Sequence, residues 1–452
     1  MTKEQSAYEV VQRDVHAAYQ AATPQSKAWY DRASKSLVAG VSGSVRYFSP
    51  YPLYFSEGSG SHETDIDGNT YIDCFLCGAC HLLGHRPPEI LEATSARAKS
   101  GSLVLNPILA TEVAEKLQEM VPAAERVRLL NSGTEAVMTA IRFARAFTGR
   151  SKIVKCNGIY HGMGDQMLVG MDLRGRTLGG GIPDEIVSQT ALMNFGDLGR
   201  LKELLQAGDV AAVLVDPSMH HGGLWAGDAA YYRSVQELTK EAGALLIFDE
   251  VITGFRLAPG GAQEYYGVTP DLAVFGKAFG AGEKLGAVVG RADVMAVANT
   301  SPDRPPGPFA FQSGTCSDST MGQAASLAAM NRYQELGKEG AYQALAKLAL
   351  RLGEGIQAAF SDRGVPCQFK QLGPMVRLFL TDGAFDYAHV SRLSGKPIDL
   401  FHLALITEGV LTLPGSNDFF LSFAHTEEDI SGIIDATRRV LKKFDFAAVV
   451  AE

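Results

Sequence analysis

Leu245–Gly280 reads LLIFDEVITGFRLAPGGAQEYYGVTPDLAVFGKAFG. Leu245 to Phe248 form a short continuous apolar run, the pattern of a strand buried on both faces of a sheet. It ends in Asp249 and Glu250, two carboxylates at the edge where the ligand crevice of a parallel sheet lies. A second apolar run, Leu272 to Phe275, delivers Gly276 and Lys277 to the same edge. A lysine there can form a Schiff base with a carbonyl compound. Pyridoxal phosphate needs such a lysine and an acid beside its pyridine nitrogen. Lys277 is the candidate Schiff-base residue and Asp249 the candidate acid. An apolar strand ending in Asp-Glu also suits a nucleotide hydrolase. That reading needs a G-x-x-x-x-G-K-[ST] loop, which the chain lacks: Lys277 is followed by Ala278.

The flanking segments supply further pieces. In Arg126–Arg150, Val127–Leu130 reads as a strand, and Val137, Ala140, Ile141 and Ala144 mark one helix face. Between them, Asn131-Ser132-Gly133-Thr134-Glu135 places free backbone N–H groups and the helix dipole together, a seat for a phosphate. Ser132 and Glu135 also have capping-box spacing. Lys152–Lys155 reads as a strand leading to Tyr160 and His161, which suit either stacking on a planar ring or core packing. Residues 163–190 read as a long active-site loop. Ala211–Val215 is a strand ending near Asp216, His220 and His221, whose adjacency disfavours a metal site. Ser313-Gly314-Thr315 offers a second phosphate contact.

Upstream, residues 1 to about 40 have helical spacing, with Ala7, Val10, Val11, Val15 and Tyr19 on one face. The Gly/Pro/Tyr-rich stretch Gly40–Gly60 carries Arg46, whose guanidinium suits a carboxylate or a structural stack. Residues 54–73 read as a meander, and 89–121 as helix broken at Gly101 and Pro107. Beyond Lys277 come a strand (LGAVVG) and a helix (RADVMAV). After Leu336 a helix at about 339–362, the strands MVRLFL and VLTLP, and a helix from Glu427 suggest a separate α+β unit.

The chain has 452 residues, with 41 basic and 50 acidic side chains and a net charge of −9, which argues against a nucleic-acid or anionic-membrane partner. No signal peptide and no apolar run of membrane-spanning length are evident, so the cytoplasm is the expected compartment. Of six cysteines, Cys74, Cys77 and Cys80 have C-x-x-C-x-x-C spacing. An iron–sulfur cluster would need His81, Cys156, Cys316 or Cys367 as fourth ligand, and none lies at ferredoxin spacing. They read better as small apolar groups, and no metal is expected.

Taken together, NSGTEA (131–136), YHG (160–162), FDEVITGFR (248–256) and Gly276-Lys277 resemble the class III aminotransferases of the fold-type I group. SVRYF, DIDGNTYID, FTGRSKIVK, GVTPDL and AHTEEDI extend the likeness over residues 36–440. Within that family the likeness is strongest to the aminomutases acting on glutamate 1-semialdehyde. The resemblance implies an α/β fold: a large domain with a mostly parallel seven-stranded sheet between helices, at 71–325, and a smaller α+β domain. Residues 1–70 and 326–452 would form the smaller one.

It implies pyridoxal phosphate as cofactor. Lys277 would be its Schiff-base residue and proton carrier, and Asp249 would pair with the ring nitrogen. Ser132, Gly133 and Thr134 would hold the phosphate, and Tyr160 would stack on the ring. His161, His221 and Ile252 would lie among the cofactor contacts. Thr315 would reach the neighbouring subunit's phosphate, hence a homodimer with shared sites, and Arg46 would bind the substrate carboxylate. Departures cluster near the pocket: Asp216-Pro217 for Glu-Pro, His221 for Asn, and Ala278–Lys284 for a Gly-Gly-Gly-x-Pro run. The expected activity is amino transfer between an amino acid or carboxylated amine and a 2-oxo acid. The alternative is intramolecular transfer on glutamate 1-semialdehyde.

Overall fold

The computed structural model describes residues 6–452 except Leu173, Arg174, Pro305, Leu413, Ser416 and Asn417. Parts of three sequence expectations therefore lie outside the described residues: the start of the chain, the 163–190 loop at Leu173 and Arg174, and VLTLP at Leu413. The chain divides into two units. One holds Met1–Gly78, Leu82–Pro87 and Gln343–Glu452, and the other Ala79–His81 and Pro88–Tyr342.

The first unit carries strands β1 (Phe55–Ser59), β2 (His62–Asp65) and β3 (Thr70–Asp73). The second carries β4 (Arg126–Leu130), β5 (Lys152–Cys156), β6 (Thr190–Met193), β7 (Val210–Val215), β8 (Leu245–Asp249), β9 (Leu272–Phe275) and β10 (Gly286–Gly290). The first unit adds β11 (Gln368–Leu372), β12 (Met375–Phe379), β13 (Val410–Leu411) and β14 (Asp418–Phe420).

In the second unit, β4 to β10 form one sheet in the order β4-β10-β9-β8-β7-β5-β6. From β9 to β6 every pairing is parallel, and only β10 runs antiparallel, to β9 on one side and β4 on the other. Every residue of β7, β8 and β9 is buried, which explains why their sequences are continuous apolar runs rather than alternating ones. The helix Gly133–Thr148 lays Val137, Ala140, Ile141 and Ala144 on this sheet, against a core that includes Leu214, Ile247, Val274 and Val288. Each fully buried Val, Leu or Ile contributes roughly 1.5–3 kcal/mol. The order places β8 at the centre, so the C-terminal ends of β5, β7, β8 and β9 open side by side.

The helix Thr320–Lys338 packs on Pro88–Ala98 and Ile108–Met120, so the second unit runs on to Tyr342 instead of ending at 325. Residues 71–78 group with the first unit instead of the large one.

The first unit contains the sheet β1-β2-β3-β13, with β13 parallel to β3, and the antiparallel sheet β11-β12-β14. Its first helical stretch is two helices, Ala7–Ala22 and Pro24–Ala33, because Pro24 lacks the amide needed to continue the first. After Asp73, where the expected meander ends, the chain turns sharply. Asp73 Oδ1 accepts hydrogen bonds from Phe75 N and Leu76 N, both at 2.8 Å, drawing the backbone out of extended conformation. Leu76, Cys77, Gly78 and Ala79 then all have positive φ (51°, 51°, 76° and 69°), a left-handed turn that is costly for the three non-glycine residues.

His402 lies in the helix Lys396–Ile406 with no exposed surface, its ring 5.2 Å from that of Phe419. Among the described residues neither ring nitrogen has a hydrogen-bond partner. Burial, reinforced by the charge of Arg377, pushes its pKa down to about 3. The unfolded chain therefore takes up this proton first, and stability is lost as pH falls from the free histidine value towards 3. Relative to pH 7, the loss at pH 5 is about 2 kcal/mol. His402→Leu should shrink the pH 7-to-5 difference in urea-unfolding free energy by about that amount. An unchanged difference would show that His402 is not the buried neutral group.

Candidate active site

A cavity of about 290 Å³ lies at the strand ends of the second unit, and Asn131–Thr134, Tyr160–Gly162, Asp216, His221, Asp249, Val251, Ile252, Lys277 and Glu283–Leu285 line it. Each group arrives for a visible reason. β4 ends at Leu130 and feeds the helix that starts at Gly133; β5 leads to Tyr160 and His161; β7 leads to Asp216; β8 ends in Asp249; β9 leads to Lys277.

The helix start is closely built. Ser132 is the cap, and its hydroxyl accepts from Glu135 N at 3.2 Å. The reciprocal half of the expected capping box is absent. Glu135 Oε2 instead accepts from Asn131 N and Nδ2, each at 3.0 Å, so it clamps the residue one step earlier. Glycine is required at the crossing points. A Cβ on Gly133 would lie 2.7 Å from Val251 Cγ2, and one on Gly162 (φ +99°) would lie 2.7 Å from Thr134 Oγ1. Larger residues would force these segments apart and open the anion seat formed by the helix N-terminus with Ser132 and Thr134.

At the cavity floor, His161 Nδ1 donates to Asp249 Oδ2 at 2.6 Å, with both side chains buried. Asp249 Oδ1 accepts from Val251 N at 3.1 Å. His161 Nε2 is buried with no hydrogen-bond partner among the described residues. Asp216 Oδ1 accepts from Ser218 N and Oγ, and Oδ2 from His220 N. These bonds engage both oxygens of the carboxylate that a metal site with His220 and His221 would need. Burial, with the charge of Asp249 added, pushes Asp216 up. Tyr160 is half-buried, and burial raises its phenol pKa. Its ring centroid lies 5.5 Å from that of His221, an exposed residue on the cavity wall.

Lys277 sits just past β9 with φ +48°, a left-handed conformation that costs a residue with a Cβ on the order of 1–3 kcal/mol. Burial lowers the pKa of its amine, while Cys80, Asp249 and Asp216 oppose that shift and Arg256 adds to it. More of the amine is thereby neutral near pH 7, the form that attacks a carbonyl or accepts a proton. Arg256 is fully buried, and its Nε donates to Ile252 O at 3.0 Å.

Not every residue singled out in the sequence reaches the cavity. Glu250 has no exposed surface; it accepts from Ala262 N (2.6 Å), Gln263 N (3.2 Å) and Thr253 Oγ1 (3.0 Å), so of the two adjacent carboxylates only Asp249 faces the site. Thr315 lies on an exposed turn outside the lining residues, and Arg46 on the exposed turn Ser44–Arg46 of the first unit. Cys74 is buried and Cys77 exposed. Among the described residues, the one cluster of three potential ligands contains no cysteine. It is Glu63, Asp73 and His85, where His85 Nε2 lies 2.8 Å from Asp73 Oδ2 and burial pushes Glu63 up to about 7.

The class-III aminotransferase family profile matches residues 45–384. The chain belongs to that family. It is 37% identical over 431 residues to glutamate-1-semialdehyde 2,1-aminomutase 2 of Brevibacillus brevis, covering 93% of this chain and 98% of that one. An omega-transaminase from Sphaerobacter thermophilus has a similar structure, with a TM-score of 0.85 at 32% identity over 92% of this chain and 97% of that one. A glutamate-1-semialdehyde aminomutase from Pseudomonas aeruginosa gives 0.86 at 26% identity, over 97% and 98%. The site suits the family's cofactor, pyridoxal phosphate. The helix start seats a phosphate, the buried Asp249 carboxylate suits a protonated ring nitrogen, and the amine of Lys277, its pKa lowered by burial, suits an aldehyde. Among the described residues no helix is long and apolar enough to cross a membrane.

Proposed function

We propose that this class-III aminotransferase moves an amino group between a carboxylated amine and a 2-oxo acid, with pyridoxal phosphate held by the residues above. The observation that carries the reading is the convergence of Lys277, the Asp249–His161 pair and the Ser132–Thr134 helix start on one cavity. When bound, the cofactor supplies an aldehyde that condenses with amines and a ring that accepts electrons from the adjacent carbon. Ser132, Gly133 and Thr134 anchor its phosphate. Asp249 keeps a proton on the ring nitrogen, and His161 holds Asp249 in place. Tyr160, His221 and Ile252 bound the ring. Lys277 would hold the cofactor's aldehyde until a substrate amine takes its place, and its freed amine would then carry the proton of the substrate carbon.

Arg46 is proposed as the reader of the substrate carboxylate. A second copy of the chain is proposed to complete the site through Thr315. Two features support a covered surface there. Leu105, Ile108, Phe309 and Phe311 are exposed apolar residues. The Leu103 and Ser319 backbones also pair, bringing the 102–108 segment beside the turn that follows Thr315. The cytoplasm is the proposed compartment.

The test is a visible absorbance titration of the purified protein with amino donors and no acceptor. Loss of the yellow band with formation of the pyridoxamine form is expected for a transaminase, and names the donor class. A yellow protein that no donor bleaches, yet isomerises glutamate 1-semialdehyde, would favour the aminomutase reading, to which the Brevibacillus relative's name points. A colourless protein that takes up no pyridoxal phosphate would overturn both.

A further inference from the structure

Lys155 lies inside β5, flanked by Ile153, Val154 and Cys156, and has no exposed surface. Its Nζ donates to three backbone carbonyls: Ile159 O at 2.8 Å, Val169 O at 2.9 Å and Met167 O at 3.0 Å. Three protons meet three acceptors, so these bonds are all made only by the ammonium form. The three carbonyls belong to one loop, closed at its neck by Gly158 N donating to Gly170 O at 2.7 Å. Within it only Asp165–Met167 forms a regular turn, so little backbone pairing of its own fixes its shape. That loop carries Tyr160, His161 and Gly162, which all line the cavity.

We propose that Lys155 is a positioning residue for the cofactor site, setting the 158–170 loop so that His161 meets Asp249 and Tyr160 bounds the ring. The inference rests on the pyridoxal phosphate reading and adds to it a residue that does not line the cavity. Removing the ammonium leaves three buried carbonyls without their donor, and the loop can recover hydrogen bonds only by moving. Any such movement displaces His161 from the carboxylate that faces the cofactor ring. At metal sites, groups that orient a ligating side chain in this way change affinity by about 10- to 100-fold when lost, and the low end of that scale is expected for a group acting through His161.

The experiment is a double-mutant cycle on the full chain, read as pyridoxal phosphate Kd from absorbance and as the pH at which the bound cofactor's visible band titrates. Lys155→Met is expected to weaken binding by about tenfold in the wild-type background, and to move the titration midpoint. In a His161→Ala background the same substitution should weaken it by less than about threefold, because the group it acts through is gone. Lys152→Met, at the partly exposed start of the same strand and paired with Asp209 at 2.7 Å, is the control expected to change neither. Equal factors in both backgrounds, or wild-type affinity in Lys155→Met, would overturn the proposal. If Lys155→Met does not fold, Lys155→Gln, which keeps part of the donor set, is read in the same cycle. A wild-type chain that binds no pyridoxal phosphate would instead sink the functional reading itself.

Discussion

Lys277→Ala is expected to yield a folded chain that still takes up pyridoxal phosphate but turns over at least about 10⁵-fold more slowly. The size follows from two jobs resting on one atom. Lys277 Nζ is the amine proposed to hold the aldehyde at rest, and also the base proposed to move the proton at the substrate carbon. The anchor survives the substitution, because Ser132, Gly133 and Thr134 belong to the helix that starts at Gly133, not to the segment after β9. The fold survives too. The Lys277 backbone sits at φ +48°, which alanine bears no worse than lysine, and its neighbours Ala278 and Phe279 remain packed in the core. The check combines single-turnover kinetics with borohydride reduction. Borohydride should fix the cofactor to the wild-type chain and leave it removable in the variant. Irreversible attachment in the variant would place the reacting amine elsewhere, with Lys284 on the cavity wall the next candidate.

The residues that were legible in the sequence are those whose chemistry and local pattern agree. β8 and β9 are apolar without alternation, so they read as buried parallel strands, and the groups that end them read as site residues. The Asn131–Glu135 turn read as an anion seat because a strand, a glycine and a helix start fall in immediate succession. What escaped reading depends on contacts between segments distant in sequence. Asp249 and Glu250 are adjacent, and which one faces the ligand is decided by Ala262 and Gln263, whose amides bind Glu250 from the start of the later helix Gly261–Tyr266. Lys155 carried one local signal, a cation among Ile153, Val154 and Cys156, but its three acceptors lie 4 to 14 residues further on. The end of the second unit was misplaced because helix Thr320–Lys338 is claimed by packing on two earlier helices, which its own periodicity does not reveal.

Asp249→Asn should keep the cofactor bound and lower kcat by about 10³-fold. The change is nearly isosteric, so packing at the end of β8 is preserved, and Val251 N can still donate to the side-chain oxygen that replaces Oδ1. What disappears is the charge. A neutral amide does not hold a proton on the pyridine nitrogen, and an unprotonated ring is a far weaker acceptor of the electrons left on the substrate carbon. The loss also reaches His161, whose Nδ1 donates to Oδ2 of this carboxylate at 2.6 Å in a buried setting. With asparagine present, the amide nitrogen stands in place of Oδ2, so that contact persists only if His161 moves its proton to Nε2 and accepts at Nδ1. Two measurements separate this electronic role from a structural one. Pyridoxal phosphate affinity should fall no more than about tenfold, since the phosphate anchor is untouched. In addition, N-methylpyridoxal phosphate, whose ring nitrogen is permanently cationic, should restore a large part of the lost rate to Asp249→Asn and add little to the wild type. No rescue by the methylated cofactor, together with a large loss of affinity, would mean that Asp249 builds the cavity and does not tune the ring.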